Sequence, residues 1–121
     1  MRVIIVDDYP DTAETTGVLL ATAGHECRTA TCGADALVAA EGFHPELAII
    51  DIGLPAMDGY ALLGVLRSRF AARPPFLVAT TGWKHLIKQA VEAGFDQCIL
   101  KPAGREQFLR AVRLAQQRHV A

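Results

Sequence analysis

The sequence predicts an α/β protein: five strand–helix units folded into one open parallel sheet with helices on both faces. Three observations carry this expectation. Short apolar runs alternate five times with longer stretches rich in Ala, Leu, Gln and Arg along 121 residues. Three of those runs are continuous rather than alternating, the pattern of a strand buried on both faces. Each helix-like stretch except the last stops before a Gly or a Pro pair, where helices commonly end.

The elements follow in order. Val3–Val6 is the first strand. The first helix begins after Pro10-Asp11, capped by Asp11 or Thr12, and runs to about Ala23, with Gly24 as its terminator. Glu26–Ala30 is a weaker strand, and Ala34–Glu41 a helix that stops at Gly42. Leu47–Ile50 is the third strand, and Gly59 to about Phe70 the third helix, before Pro74-Pro75. Asp11 and Asp58 read as helix caps or turn formers. Phe76–Ala79 is the fourth strand, and His85–Ala93 the fourth helix, ended by Gly94. Cys98–Leu100 is the fifth strand, and Arg105 to about Arg118 the fifth helix.

Composition narrows the function. Residues 1–121 fit a single domain with no room for a second. Apolar residues at 51% and charged residues at 21% give the balance of a soluble globular protein and exclude disordered or collagen-like classes. A net charge of −1 argues against a general nucleic-acid or membrane binder. That total hides a division. Residues 1–60 hold ten acids and two bases, and residues 61–121 hold three acids and ten bases. Cys27, Cys32 and Cys98 form no C-x-x-C pair, so neither zinc nor a redox dithiol is indicated, and reduced thiols in the cytoplasm are expected. The apolar runs are too short for a membrane span or a signal peptide.

In a parallel sheet, ligands bind beyond the carboxyl ends of the strands, where the strand order reverses. The strands here end in Asp7-Asp8, Asp51, Thr80-Thr81 and Lys101-Pro102. One edge would therefore gather three carboxylates, one or two hydroxyls and an ammonium. Crowded carboxylates raise one another's pKa and are tolerated around a hard divalent cation such as Mg²⁺, which takes oxygen ligands. One carboxylate could then attack phosphorus, while the metal and Lys101 neutralise the transferred group and a Thr hydroxyl bonds an equatorial oxygen.

These residues resemble the receiver domain of two-component response regulators. The likeness runs from VIIVDD to the last helix, through VDDYPD, DIGLPAMDG, ATTGW and AGFDQCILKP. Asp51 follows Asp8 by 43 positions, Thr81 follows Asp51 by 30, and Lys101 follows Thr81 by 20, all typical of receivers. The resemblance implies a flavodoxin-like three-layer (βα)5 sandwich with strand order 2-1-3-4-5. It implies Asp51 as phospho-acceptor from a histidine kinase or histidine phosphotransfer protein. Asp7, Asp8, Asp51 and the Gly53 backbone carbonyl would hold Mg²⁺. Thr81 would be the switch hydroxyl and Lys101 the phosphate-binding lysine, followed by a cis Pro102. Leu54-Pro55, Asp58 and Gly59 match the loop that leads from the third strand to the third helix.

The motifs are similar to receivers attached to hybrid sensor kinases. A bacterial cytoplasmic protein is implied, catalysing only its own phosphorylation and dephosphorylation rather than acting as a turnover enzyme. Its changed output face would be the fourth helix, fifth strand and fifth helix, which also offer a surface for self-association. Surplus bases gather there: Lys84, Lys88, Arg105, Arg110, Arg113 and Arg118. Direct binding to nucleic acid or membrane is not expected. Whatever the domain controls lies in another chain or in a part of the protein beyond these residues.

Two positions depart from the pattern. Cys98 stands at a switch position usually held by an aromatic residue, and a thiol cannot swing a ring as Thr81 moves. Tyr9 stands where a small polar residue is common and is expected to shield the site or touch a partner helix. Trp83 is expected to gate the site or fill space above the fourth helix. A pseudo-receiver, binding partners without phosphorylation, is the alternative that Cys98 supports. A haloacid-dehalogenase-type phosphatase expects an acid where Gly53 stands. A flavodoxin expects a phosphate loop where this chain has DDYPD.

Overall fold

Neighbouring residues of the central strands face opposite sides of the sheet, and both sides are apolar. This places two cores around one sheet. The computed structural model describes residues 1–120, with side chains through residue 118. Its elements are β1 (Arg2–Val6), α1 (Pro10–Thr22), β2 (Glu26–Ala30), α2 (Gly33–Ala40), β3 (Leu47–Asp51), α3 (Gly59–Arg69), β4 (Phe76–Thr81), α4 (Ile87–Ala93), β5 (Gln97–Leu100) and α5 (Arg105–Val120). The five strands are parallel in the order β2-β1-β3-β4-β5. Ile4, Val6, Ala48, Ile50, Leu77 and Ala79 point to the face covered by α2, α3 and α4. Val3, Ile5, Leu47, Ile49, Phe76 and Val78 point to the face covered by α1 and α5. The expected fold class and strand order are met.

Several boundaries differ from expectation for local reasons. β4 runs two residues further, because the β-branched, buried Thr80 and Thr81 pair with Ile99 and Leu100 and continue the ladder. β3 likewise includes Asp51, which pairs with Thr80. Neither Asp11 nor Thr12 caps α1. Tyr9 holds the N-cap position without a side-chain bond, and Pro10, with its preset φ, opens the first turn. α4 begins at Ile87, after a 3-10 turn over Lys84–Leu86. α2 begins one residue early because Cys32 Sγ accepts from Asp35 N–H at 3.5 Å and caps it.

Glycine is required at two positions, the second of which adjoins the site. Gly24, just past α1, has φ +97°, the left-handed region that ends a helix. At Gly59, a Cβ would lie 2.6 Å from Ile52 Cα, so only glycine lets α3 start against the end of β3. Asp58 Oδ1 accepts from Ala61 N–H at 2.9 Å and caps α3, as expected of it. The reversal in strand order falls between β1 and β3. Asp7-Asp8 and Asp51 stand at that point, at the carboxyl edge.

Candidate functional site

The parallel register brings strand ends distant in sequence to one edge. Asp7 and Asp8 follow β1, and the Asp7 N–H is fixed by Ala30 O of β2 at 3.1 Å. One ligand oxygen from each of Asp7, Asp8 and Asp51 lies within 4.8 Å of the others. Asp7 is buried, and Asp8 and Asp51 are half-buried. Lys101 follows β5 and crosses back to them, its N–H bonded to Thr81 O at 2.7 Å. Its Nζ donates to Asp7 Oδ2 at 2.6 Å and to Asp51 Oδ2 at 3.3 Å. The Lys101–Pro102 peptide is cis, as the resemblance implied.

Gly53, Tyr9, Thr81 and Trp83 line the cavity around this cluster. Gly53 N–H donates to Asp51 Oδ1 at 2.9 Å, and a Cβ at Gly53 would touch that oxygen at 3.4 Å. Tyr9 N–H donates to Asp7 Oδ1 at 3.0 Å, while the Tyr9 side chain is exposed. Thr81 lines one cavity with Asp8, Asp51 and Lys101. Thr80 turns to the opposite face of the sheet and lines a groove between α1 and α5. The hydroxyl beside Asp51 is therefore that of Thr81, and Thr81 Oγ1 accepts from Trp83 N–H at 3.1 Å. Trp83 lines the same cavity and is 65% exposed, so it fills no core above α4. Cys98 lies in β5, half-buried against the α2–α4 core.

The electrostatics follow from burial and crowding. Burial pushes the Asp8 carboxyl above its ordinary range, and Asp51 and then Asp7 add to that rise. Burial pulls the Lys101 ammonium down, but its hydrogen bond to Asp7 and the charges of Asp51 and Asp7 more than offset this and leave it raised. The cluster is thus short of positive charge despite Lys101. Three oxygen donors that close, with one of them reluctant to ionise, suit a hard divalent cation.

The surplus bases of the second half are partly absorbed at home. Arg118 pairs with Asp96 at 3.0 Å and stands over the Phe76 ring, and Lys88 lies 3.9 Å from Glu92 one turn on. Lys84, Arg105, Arg110 and Arg113 are exposed. Asp11 lies in the exposed first turn of α1, outside the cluster. Several lining residues went unread in the sequence, among them Tyr60, brought in from α3. No spacing or motif marks it, because its place depends on how α3 packs.

Among the described residues, no helix is long and apolar enough to cross a membrane. The family model of the response regulator receiver domain matches residues 3–113. The transcriptional regulatory protein KdpE of Mycobacterium tuberculosis is 37% identical over 119 residues, covering 98% of this chain and 52% of that protein. The sensor histidine kinase RcsC of Escherichia coli is 30% identical over 102 residues, covering 84% of this chain and 11% of that protein. The chain thus spans about half the length, or less, of these two relatives. Among solved structures, a receiver domain protein from Methanospirillum hungatei superposes with a TM-score of 0.83 at 27% identity, covering 99% and 98% of the two chains. The chemotaxis response regulator CheY4 of Vibrio cholerae gives 0.81 at 24% identity, covering 94% and 97%, which speaks to the fold alone.

Proposed function

The chain belongs to the response regulator receiver domain family of two-component systems, and on that footing we propose that it accepts a phosphoryl group on Asp51. The observation that carries this reading is the convergence of Asp7, Asp8, Asp51 and Lys101 at the switch point of the sheet. A carboxylate oxygen of Asp51 attacks the phosphorus of a phosphohistidine. The P–O bond forms as the P–N bond breaks, and the electron pair returns to the imidazole. The donor is a histidine kinase or a histidine phosphotransfer protein.

Each residue of the chain has a part in that step. Gly53 N–H holds Asp51 Oδ1, which leaves the carboxylate in one orientation. Lys101 reaches Asp51 from the same pocket and neutralises charge on the transferred group. The Thr81 hydroxyl sits in the cavity beside Asp51, ready to bond an equatorial oxygen. Asp7, Asp8 and Asp51, with the Gly53 carbonyl, would hold Mg²⁺, which when bound supplies positive charge to the attacking and transferred oxygens. Gly53, having no side chain, also keeps the approach to Asp51 open to the water that later removes the phosphoryl group. The chain acts on itself in both steps and turns over no separate substrate.

The phosphorylated domain would present a changed α4–β5–α5 face to its partner or to a second copy, with the exposed Lys84, Arg105, Arg110 and Arg113 favouring an acidic surface. A cytoplasmic setting suits the three free cysteines. The small Cys98 favours one second reading, a pseudo-receiver that binds without being phosphorylated. One experiment separates them. The intact mass after incubation with Mg²⁺ and acetyl phosphate should rise by one phosphoryl group, and Asp51→Asn should remove the rise. An unchanged mass at saturating donor supports the pseudo-receiver instead.

A further inference from the structure

Tyr60, the second residue of α3, buries a hydroxyl that has no hydrogen-bond partner among the described residues. Native folds keep few such groups, because a buried donor without a partner has lost water and gained nothing in return. The ring stands edge-on to Phe95 with centroids 6.0 Å apart. Burial lifts the phenol's pKa, and the nearby Cys98 and then Asp58 lift it further, so the group remains a donor at neutral pH. The same side chain lines the cavity of about 510 Å³ that holds Asp51, Thr81 and Lys101. Tyr60 therefore borders both the cavity that holds the acid cluster and, through Phe95, the core beneath α4.

Asp51 and Thr81 line the same cavity and accept hydrogen bonds from other donors, none of them the Tyr60 hydroxyl. Asp51 Oδ1 takes the Gly53 N–H, Asp51 Oδ2 takes Lys101 Nζ, and Thr81 Oγ1 takes the Trp83 N–H. Cys98 offers only a weak sulfur acceptor. A phosphoryl group on Asp51 would bring three strong acceptor oxygens into this cavity.

We propose that Tyr60 is a positioning residue that senses the state of Asp51: its buried hydroxyl gains a hydrogen-bond partner when Asp51 carries a phosphoryl group, and its ring passes that change to α4 and β5. This rests on the phosphoacceptor reading. Where Cys98 supplies no ring, α3 supplies one. Tyr60 would move as a bistable side chain between two packings, the kind of element through which such switches act.

The test uses fluorine NMR of the chain made with 3-fluorotyrosine, with intact mass read on the same samples. The chain has two tyrosines, so the resonance missing from Tyr60→Phe belongs to Tyr60. With Mg²⁺ and acetyl phosphate, the expected result is a phosphoryl mass gain together with displacement of the Tyr60 resonance. Tyr60→Phe should gain the same mass. Its equilibrium between the two arrangements, read from amide shifts of β4 and β5, should move about fivefold toward the unphosphorylated one, the weight of one ordinary hydrogen bond. A mass gain with the Tyr60 resonance unmoved overturns the proposal, as does a Tyr60→Phe chain that responds like the unaltered one. If neither chain gains mass, the phosphoacceptor reading itself fails and this proposal fails with it.

Discussion

Replacing Lys101 with Met is expected to destabilise the domain strongly, and excess Mg²⁺ is expected to restore much of the loss. Lys101 Nζ lies 2.6 Å from Asp7 Oδ2 and 3.3 Å from Asp51 Oδ2, with side-chain exposures of 26%, 5% and 13% for Lys101, Asp7 and Asp51. Methionine keeps the length and apolar stem of the side chain but removes its charge. Three crowded carboxylates then face one another with no cation among them. Breaking a buried pair by deleting one partner costs about 3–5 kcal/mol. The ammonium is a quarter exposed, so solvent screening lowers the expected loss to roughly 2–3 kcal/mol. The Lys101 pKa is pulled down by burial and raised more strongly by the Asp7 hydrogen bond and the two negative charges. A raised lysine keeps its full stabilising effect below its ordinary value of 10.5 and loses it as pH climbs past that value, so the pair is intact at neutral pH. Urea unfolding followed by circular dichroism, first in EDTA and then in excess Mg²⁺, measures both quantities. Cation binding to the folded state alone should raise stability more in Lys101→Met than in the unaltered chain, because Lys101 competes for the same oxygens. A loss below about 0.5 kcal/mol, the range of an ordinary surface change, would refute this reasoning. So would an equal Mg²⁺ increment in the two proteins.

Further outcomes are expected elsewhere. Gly59→Ala forces a Cβ to within 2.6 Å of Ile52 Cα, and the resulting overpacking should cost about 1–3 kcal/mol by urea unfolding. Asp58→Ala removes the cap on α3 and should cost about 0.5–2 kcal/mol, with helix loss near α3 visible as faster amide exchange. Burial raises the Cys98 thiol above the ordinary value of 9.0, so less thiolate is present at any pH below that value. Iodoacetamide should therefore modify Cys98 more slowly than a free thiol at pH 8, with the rate rising as pH climbs beyond 9.0, as mass spectrometry of the alkylated peptides would show. Trp83, the sole tryptophan, donates its backbone N–H to Thr81 Oγ1. Its fluorescence should change when acetyl phosphate and Mg²⁺ are added and should stay constant in Asp51→Asn.

The arrangement of the sheet was legible because burial on both faces leaves continuous apolar runs such as Leu47–Ile50. The acid cluster was legible because a parallel sheet sends every strand end to one edge, so Asp8, Asp51 and Lys101 needed no contact map. Boundaries were less so. Thr80 and Thr81 read as the residues that close the fourth strand's apolar run, and their pairing with β5 places them inside the strand. Asp11 is a good capping residue by type, yet Pro10 sets where α1 begins. A cysteine cap such as Cys32 leaves no pattern at all. The Lys101–Asp7 contact joins residues 94 apart, and its pairing depends on the crossover from β5 rather than on any local signal. Tyr60 was invisible for the same reason. A tyrosine in the first turn of a helix looks like ordinary surface until packing buries its hydroxyl.

Chemical trapping of the phosphorylated residue tests the central claim most directly. An aspartyl phosphate is reduced by borohydride to homoserine, which marks its position in the peptide. After treatment with Mg²⁺ and acetyl phosphate, mass spectrometry of the reduced peptides should find homoserine at residue 51, and the mark should vanish when EDTA replaces Mg²⁺. A mark at Asp7 or Asp8 instead, or an unmodified Asp51 in a folded chain at saturating donor, would contradict the account.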